Sequence, residues 1–268
     1  MASARKTDQA RVEGDELFDV DVPAAVVCAQ CGDADCPGCF QEQTRSGVVA
    51  VVAWERPGAG AFTRLWLTAR AATVDAERFF DALPDGPLAP ALRFALICEL
   101  MASSAMAALL FVPLALLAPG WCKQLLLGDN PLAARIVAIG VPGLAALLVA
   151  AHVAHGWALD VGARRAGARG ATNRALRFGL YSAGWDLVVG PLGAFLLAGK
   201  EGARAASSLL GLGIGLPGRS ARAFLRGCYG LEGASAGPAM RASYVAAAAA
   251  TAVGAVAVIV AIVVVLLG

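Results

Sequence analysis

The stretch GARRAGARGATNRALR, residues 162–177, carries five arginines (Arg164, Arg165, Arg169, Arg174 and Arg177) and no acid. Residues 136–159 before it hold no charged side chain, and residues 178–199 after it hold only Asp186. A helix crosses about 30 Å of hydrocarbon with roughly 20 residues, so each flank is long enough to span a bilayer. Lysine and arginine in short loops stay on the cytoplasmic side. The arginine stretch therefore predicts a cytoplasmic turn between two membrane helices, and the remaining topology is counted from it.

The composition agrees. The 268 residues are 58% hydrophobic and 16% charged, with a mean hydropathy of +0.66. Soluble domains carry about 25% charged residues. The expected class is all-α, a polytopic helix bundle of five spans at about 93–118, 134–160, 176–199, 204–226 and 243–267. The fourth is counted as a span because otherwise Arg219, Arg222, Arg226 and Arg241 would lie outside, against the positive-inside bias. The first 24 residues are acidic and lack both a secretory signal and an apolar periodicity, so they read as a disordered cytoplasmic tail. An odd number of spans then places the C-terminus outside. The bilayer is the first expected partner. Gly211 and Gly215 form a small-xxx-small pair that can seat a second helix, and so a possible homo-oligomer. Nothing in the charge pattern points to nucleic acid.

Residues 25–40 form the most distinctive motif. Cys28 and Cys31, then Cys36 and Cys39, make two Cys-x-x-Cys pairs four residues apart. Pairs at that spacing can each turn two thiolates onto one ion, and two pairs complete a tetrahedral zinc shell. A reducing compartment argues against disulfides. Structural zinc is the preferred reading, with an iron–sulfur cluster and no metal as the alternatives, because the gap between pairs is shorter than in zinc ribbons. Four protein thiolates leave no open position for a catalytic water.

Residues 41–53 are a linker. Phe62, Leu65, Trp66 and Ala69 then recur at helical spacing, and Phe79, Phe80 and Leu83 repeat the theme. This segment reads either as an element at the lipid interface or as a helical hairpin packed on itself. Pro84, Pro87 and Pro90 end it. Within the spans, Asp186 is the foremost functional candidate, with a buried structural acid as the other reading. Glu99 reads as a headgroup-level acid or a partner for Arg93, and His152 and His155 as neutral, hydrogen-bonded histidines near the inner interface. Residues 233–237, GASAG, match Gly-x-Ser-x-Gly but lie in a loop rather than between a strand and a helix, so no nucleophile is assigned.

Several segments resemble the bacterial branch of the Yip1 family. They are Trp54-Glu55-Arg56; Phe79-Phe80-Asp81-Ala82-Leu83; Pro87-Leu88 followed by residues 91–96; His152; residues 178–183 with Pro191-Leu192-Gly193; and Tyr229-Gly230-Leu231-Glu232. The resemblance covers residues 54–268. It implies a five-helix membrane protein with a cytoplasmic N-terminus, and bacterial relatives often carry an N-terminal cysteine knuckle. Eukaryotic members act in vesicle traffic by binding small GTPases, through an Asp-Leu-Tyr-Gly-Pro motif absent here. The expectation is a non-enzymatic scaffold or adaptor in a bacterial inner membrane, recruiting a cytoplasmic protein through its tail. The alternative is a small-molecule or lipid transporter, or a membrane-remodelling protein, that uses Asp186.

Overall fold

The computed structural model describes residues 52–56, 60–127 and 136–267. The acidic tail and the four knuckle cysteines lie outside the described residues. Among those described there is no strand, and they include ten α-helices. They are α1 (Ala61–Thr73), α2 (Ala76–Asp81), α3 (Leu88–Leu117), α4 (Pro119–Leu127), α5 (Val141–Arg165), α6 (Thr172–Ser182), α7 (Gly184–Val188), α8 (Pro191–Glu201), α9 (Ala203–Tyr229) and α10 (Gly237–Leu267).

Two of the described helices are long and apolar enough to cross a membrane. They are Leu88–Leu117, with a mean hydropathy of 2.2, and Ala138–Arg165, with a mean hydropathy of 1.7. The third expected span, 176–199, is not one helix. It is divided into α6, α7 and α8, with breaks at Ala183 and at Val189–Gly190. Pro191 opens α8, as expected of a residue without an N–H to donate.

The arginine stretch is also more ordered than a plain loop. Arg164 and Arg165 close the last turn of α5, where cations complement the helix dipole. Gly167, at φ 88°, makes the turn. Arg174 and Arg177 already belong to α6, and Arg177 is wholly buried.

Residues 61–81 are neither packed on themselves nor separate from the bundle. Leu65, Thr68, Ala69, Ala72 and Thr73 form the buried face of α1, which lies against α7, while α2 lies against α9. Small residues permit this. The Cα of Ala69 lies 3.0 Å from where a Cβ on Gly184 would sit, and Asp81 O lies 1.9 Å from the same position on Gly227. Trp185 Nε1 then donates to Ala72 O at 2.8 Å. Phe62 and Leu67 remain on the outer face of α1, exposed.

The core gathers at the end of the bundle that carries the arginine turn. Phe178 stacks on Phe224 with ring centroids 4.6 Å apart and meets Phe80 edge-on at 4.7 Å. Phe94 and Tyr181 extend the cluster. Toward the opposite end, Val112, Leu116 and Leu117 of α3 and Val253, Val256 and Val260 of α10 are exposed. Aliphatic side chains facing outward at that density suit hydrocarbon rather than water.

Candidate functional site

Three helical segments bring one ionisable side chain each to a common point. Glu99 lies on α3, His152 on α5 and Asp186 on α7. His152 Nε2 is 3.0 Å from Glu99 Oε1 and 2.9 Å from Asp186 Oδ2. The three groups each offer one ligand atom, and those atoms lie within 4.8 Å of one another.

The placement follows from glycine. A Cβ on Gly156 of α5 would stand 2.2 Å from Ala175 O, and one on Gly179 of α6 would stand 2.2 Å from His152 O. Only hydrogen fits in either place, so α5 and α6 touch backbone to backbone. That contact sets Ser182, one turn beyond Gly179, against the imidazole: Ser182 Oγ is 2.8 Å from His152 Nδ1. Ser182 Oγ also donates to Gly179 O at 2.6 Å. A hydroxyl has one proton to give. With that proton on Gly179 O, Ser182 accepts from His152, and the hydrogen-bond network assigns the imidazole proton to Nδ1. Nε2 lies at hydrogen-bond distance from both carboxylates, so a proton there makes the ring a cation held between two acids, and its removal leaves a lone pair aimed at the same point.

Burial sharpens the electrostatics. The Glu99 side chain is 0% exposed, that of His152 14% and that of Asp186 45%. Beyond the ion pair of Oε1 with His152 Nε2 at 3.0 Å, neither oxygen of Glu99 receives a hydrogen bond. An ionised carboxylate in an apolar setting is far more costly to bury than a neutral polar group unless it is paired. The cluster is therefore built to hold positive charge, and Asp186 is its open side.

Two further polar networks fix the ends of the helices. In the first, Arg177 Nη2 meets Glu55 Oε1 at 3.0 Å, its Nη1 donates to Pro87 O at 2.9 Å, and Tyr181 donates to the same Glu55 carboxylate. In the second, Asp160 accepts from Ala171 N and Thr172 Oγ1 at 2.8 Å each, and from Tyr229 Oη at 2.7 Å. Arg164 completes that set at 2.8 Å. Burial, then the bond to Asp160, raises the Tyr229 phenol above its usual range, so it stays a donor. The second network closes the arginine turn onto the end of α9.

These positions amend the sequence-based expectations. Glu99 lies 11 residues into α3, about 16 Å along the helix, and it faces His152 rather than Arg93. His152 and His155 do not share a site. His155 Nδ1 pairs with Ser243 Oγ at 3.0 Å, on the side toward α10. The expectation that both histidines are hydrogen-bonded agrees with the structure. Asp186 is the site residue the sequence picks out, and the structure gives it two partners. Ser182 carried no sequence signal beyond its place in a Tyr-Ser-Ala run. Ser235 of the GASAG turn donates to Glu232 O at 2.7 Å, in a turn preceded by no strand among the described residues.

Comparisons with family models, with curated proteins and with solved structures returned no match.

Proposed function

We propose that the chain is a five-span membrane protein of the Yip1-like type that handles a cation within the bilayer, as a transporter of a small solute or ion. The observation that carries this is Glu99, a carboxylate with 0% exposure whose Oε1 is ion-paired with His152 Nε2 at 3.0 Å and which stands beside Asp186. Ionisable residues inside membrane segments face cavities or one another and mark ion or proton paths. The half-exposed Asp186 supplies an opening, and the divided helix that carries it resembles the interrupted helices on which many transporters place their sites. Ser182, His152 and Asp186 stand in the order of a hydrolase triad, but the Ser182 hydroxyl is wholly buried and donates to Gly179 O rather than to the imidazole, and the proposal is non-enzymatic. The test is flux in proteoliposomes, following protons and divalent cations. Asp186→Asn and Glu99→Gln, each near-isosteric, are expected to lower uptake by about tenfold or more while the protein still elutes as a single species. Unchanged flux in both variants refutes the transport reading.

The Cys28, Cys31, Cys36 and Cys39 motif favours a second role on the same chain. Bound as structural zinc in the cytoplasm, it would recruit a protein partner to the inner membrane, making the chain a scaffold. Replacing the four cysteines by serine is expected to remove one equivalent of zinc and, in a crosslinking pull-down from native membranes, one defined partner. Zinc lost with every partner retained makes the knuckle a stability element only.

A further inference from the structure

We infer that Glu99, His152 and Asp186 form a binding site for a first-row divalent transition metal ion, with Ser182 as its positioning residue. The inference rests on the cation-handling reading above and specifies the ion. Three observations carry it.

The first is the imidazole tautomer. A histidine that ligates a metal almost always donates its other ring N–H to a neighbouring acceptor, which fixes the ring and makes the free nitrogen more basic. Ser182 accepts that N–H here, because its own proton is on Gly179 O. Nε2 lies at 2.9–3.0 Å from both carboxylates, so when an incoming ion displaces the proton it carries there, its lone pair already faces the point where the carboxylates converge.

The second is spacing. Ligands about 2.1 Å from a metal and at right angles to one another stand about 3.0 Å apart, whereas tetrahedral ligands stand about 3.4 Å apart. The two nitrogen–oxygen separations are 2.9 and 3.0 Å. These two separations match neighbouring positions of an octahedron, and the third, between the carboxylates, lies within 4.8 Å, which leaves further positions to water or solute. The half-exposed side of Asp186 is where those would enter.

The third is donor chemistry and charge. One imidazole and two carboxylates exclude the soft-metal preference of thiolates and go beyond the all-oxygen preference of magnesium and calcium. Imidazole suits zinc and iron, and carboxylate suits manganese. Two carboxylates also neutralise a dication, and that binding would satisfy the Glu99 oxygens beyond their ion pair with His152.

Cobalt(II) serves as the probe, because its visible spectrum separates nitrogen–oxygen ligation from thiolate ligation. It is titrated into the full chain in detergent with Cys28, Cys31, Cys36 and Cys39 replaced by serine, which silences the knuckle. Manganese(II) binding is followed in parallel by electron paramagnetic resonance. The expected result is one equivalent bound, with weak bands of octahedral type and no thiolate charge-transfer band. Glu99→Gln is expected to weaken binding by about 100-fold or more, and Ser182→Ala by about 10-fold, the lower end for second-shell partners. Glu99→Gln keeps the side chain's shape and removes a buried charge, so its fold survives the change. Three outcomes would each overturn the inference: no stoichiometric binding, binding unaffected by Glu99→Gln, or thiolate bands that place the ion on Cys98, Cys122 or Cys228. Binding without flux leaves the metal site in place and removes the transport reading. Flux without binding does the reverse.

Discussion

Arg177 is the largest fully buried side chain in the described chain, and its charge is met by Glu55, 122 residues earlier. Removing one member of a buried pair strands the other, at about 3–5 kcal/mol, whereas replacing both is often neutral. Arg177→Met should therefore lower the thermal unfolding midpoint in detergent sharply. The double variant with Glu55→Gln should recover most of the loss, because no charge is then left alone. A double variant no more stable than Arg177→Met would show that the arginine acts through its bond to Pro87 O rather than through the ion pair. The pair also changes how the arginine stretch is counted. One of its five cations is neutralised inside the protein, and Arg164 is matched by Asp160, so the charge that orients the turn rests chiefly on Arg165, Arg169 and Arg174.

Among the helices, the pairing of α5 with α6 governs the site. Gly156 and Gly179 allow main chains to touch, and His152 and Ser182 sit on the two sides of that contact. Gly179→Val places carbon where His152 O already lies. Overpacking of that kind costs about 1–3 kcal/mol, and it parts the serine from the imidazole. Gly179→Val should thus lower thermal stability and weaken cobalt binding together, while Gly120→Val on α4, where an added Cβ meets nothing within 4 Å, should leave cobalt binding unchanged. The sequence showed part of this arrangement. Charge patterning located the turn between α5 and α6 but not their ends, because α5 runs on to Arg165 and α6 already begins at Thr172, inside the stretch read as a turn. It also singled out Asp186, because a lone acid in an apolar run stands out. It could not place Glu99 beside His152, since residues 53 positions apart meet through helix rotation and tilt, and one-dimensional periodicity carries neither. The docking of α1 and α2 escaped notice for a related reason. It depends on Gly184 and Gly227, and in a chain with 31 glycines no single one signals a contact.

For the whole molecule, the buried aromatic core and all three polar networks lie toward the arginine-turn end, and the far ends of α3 and α10 are faced with exposed aliphatics. Stability should therefore reside in the half that carries the arginine turn, with the far half held mainly by its apolar surroundings. Orientation is tested directly. On a background without other cysteines, Arg169→Cys should react with a membrane-impermeant maleimide only after the cell envelope is permeabilised and the inner face is open. Labelling of intact cells would invert the proposed topology.

The breaks at Ala183 and Val189–Gly190 bear on time rather than on affinity. Glu99 and His152 ride on long helices that can move only as wholes. Asp186 rides on a single helical turn that Gly184 and Trp185 pin to α1, so release would fall to its half-exposed side chain while the other two stay in place. An arriving ion would meet two fixed donors and then be closed over by the third. Departure needs only that third donor to let go. Such a site combines selective capture with a short residence time, as a carrier requires and a purely structural ion does not.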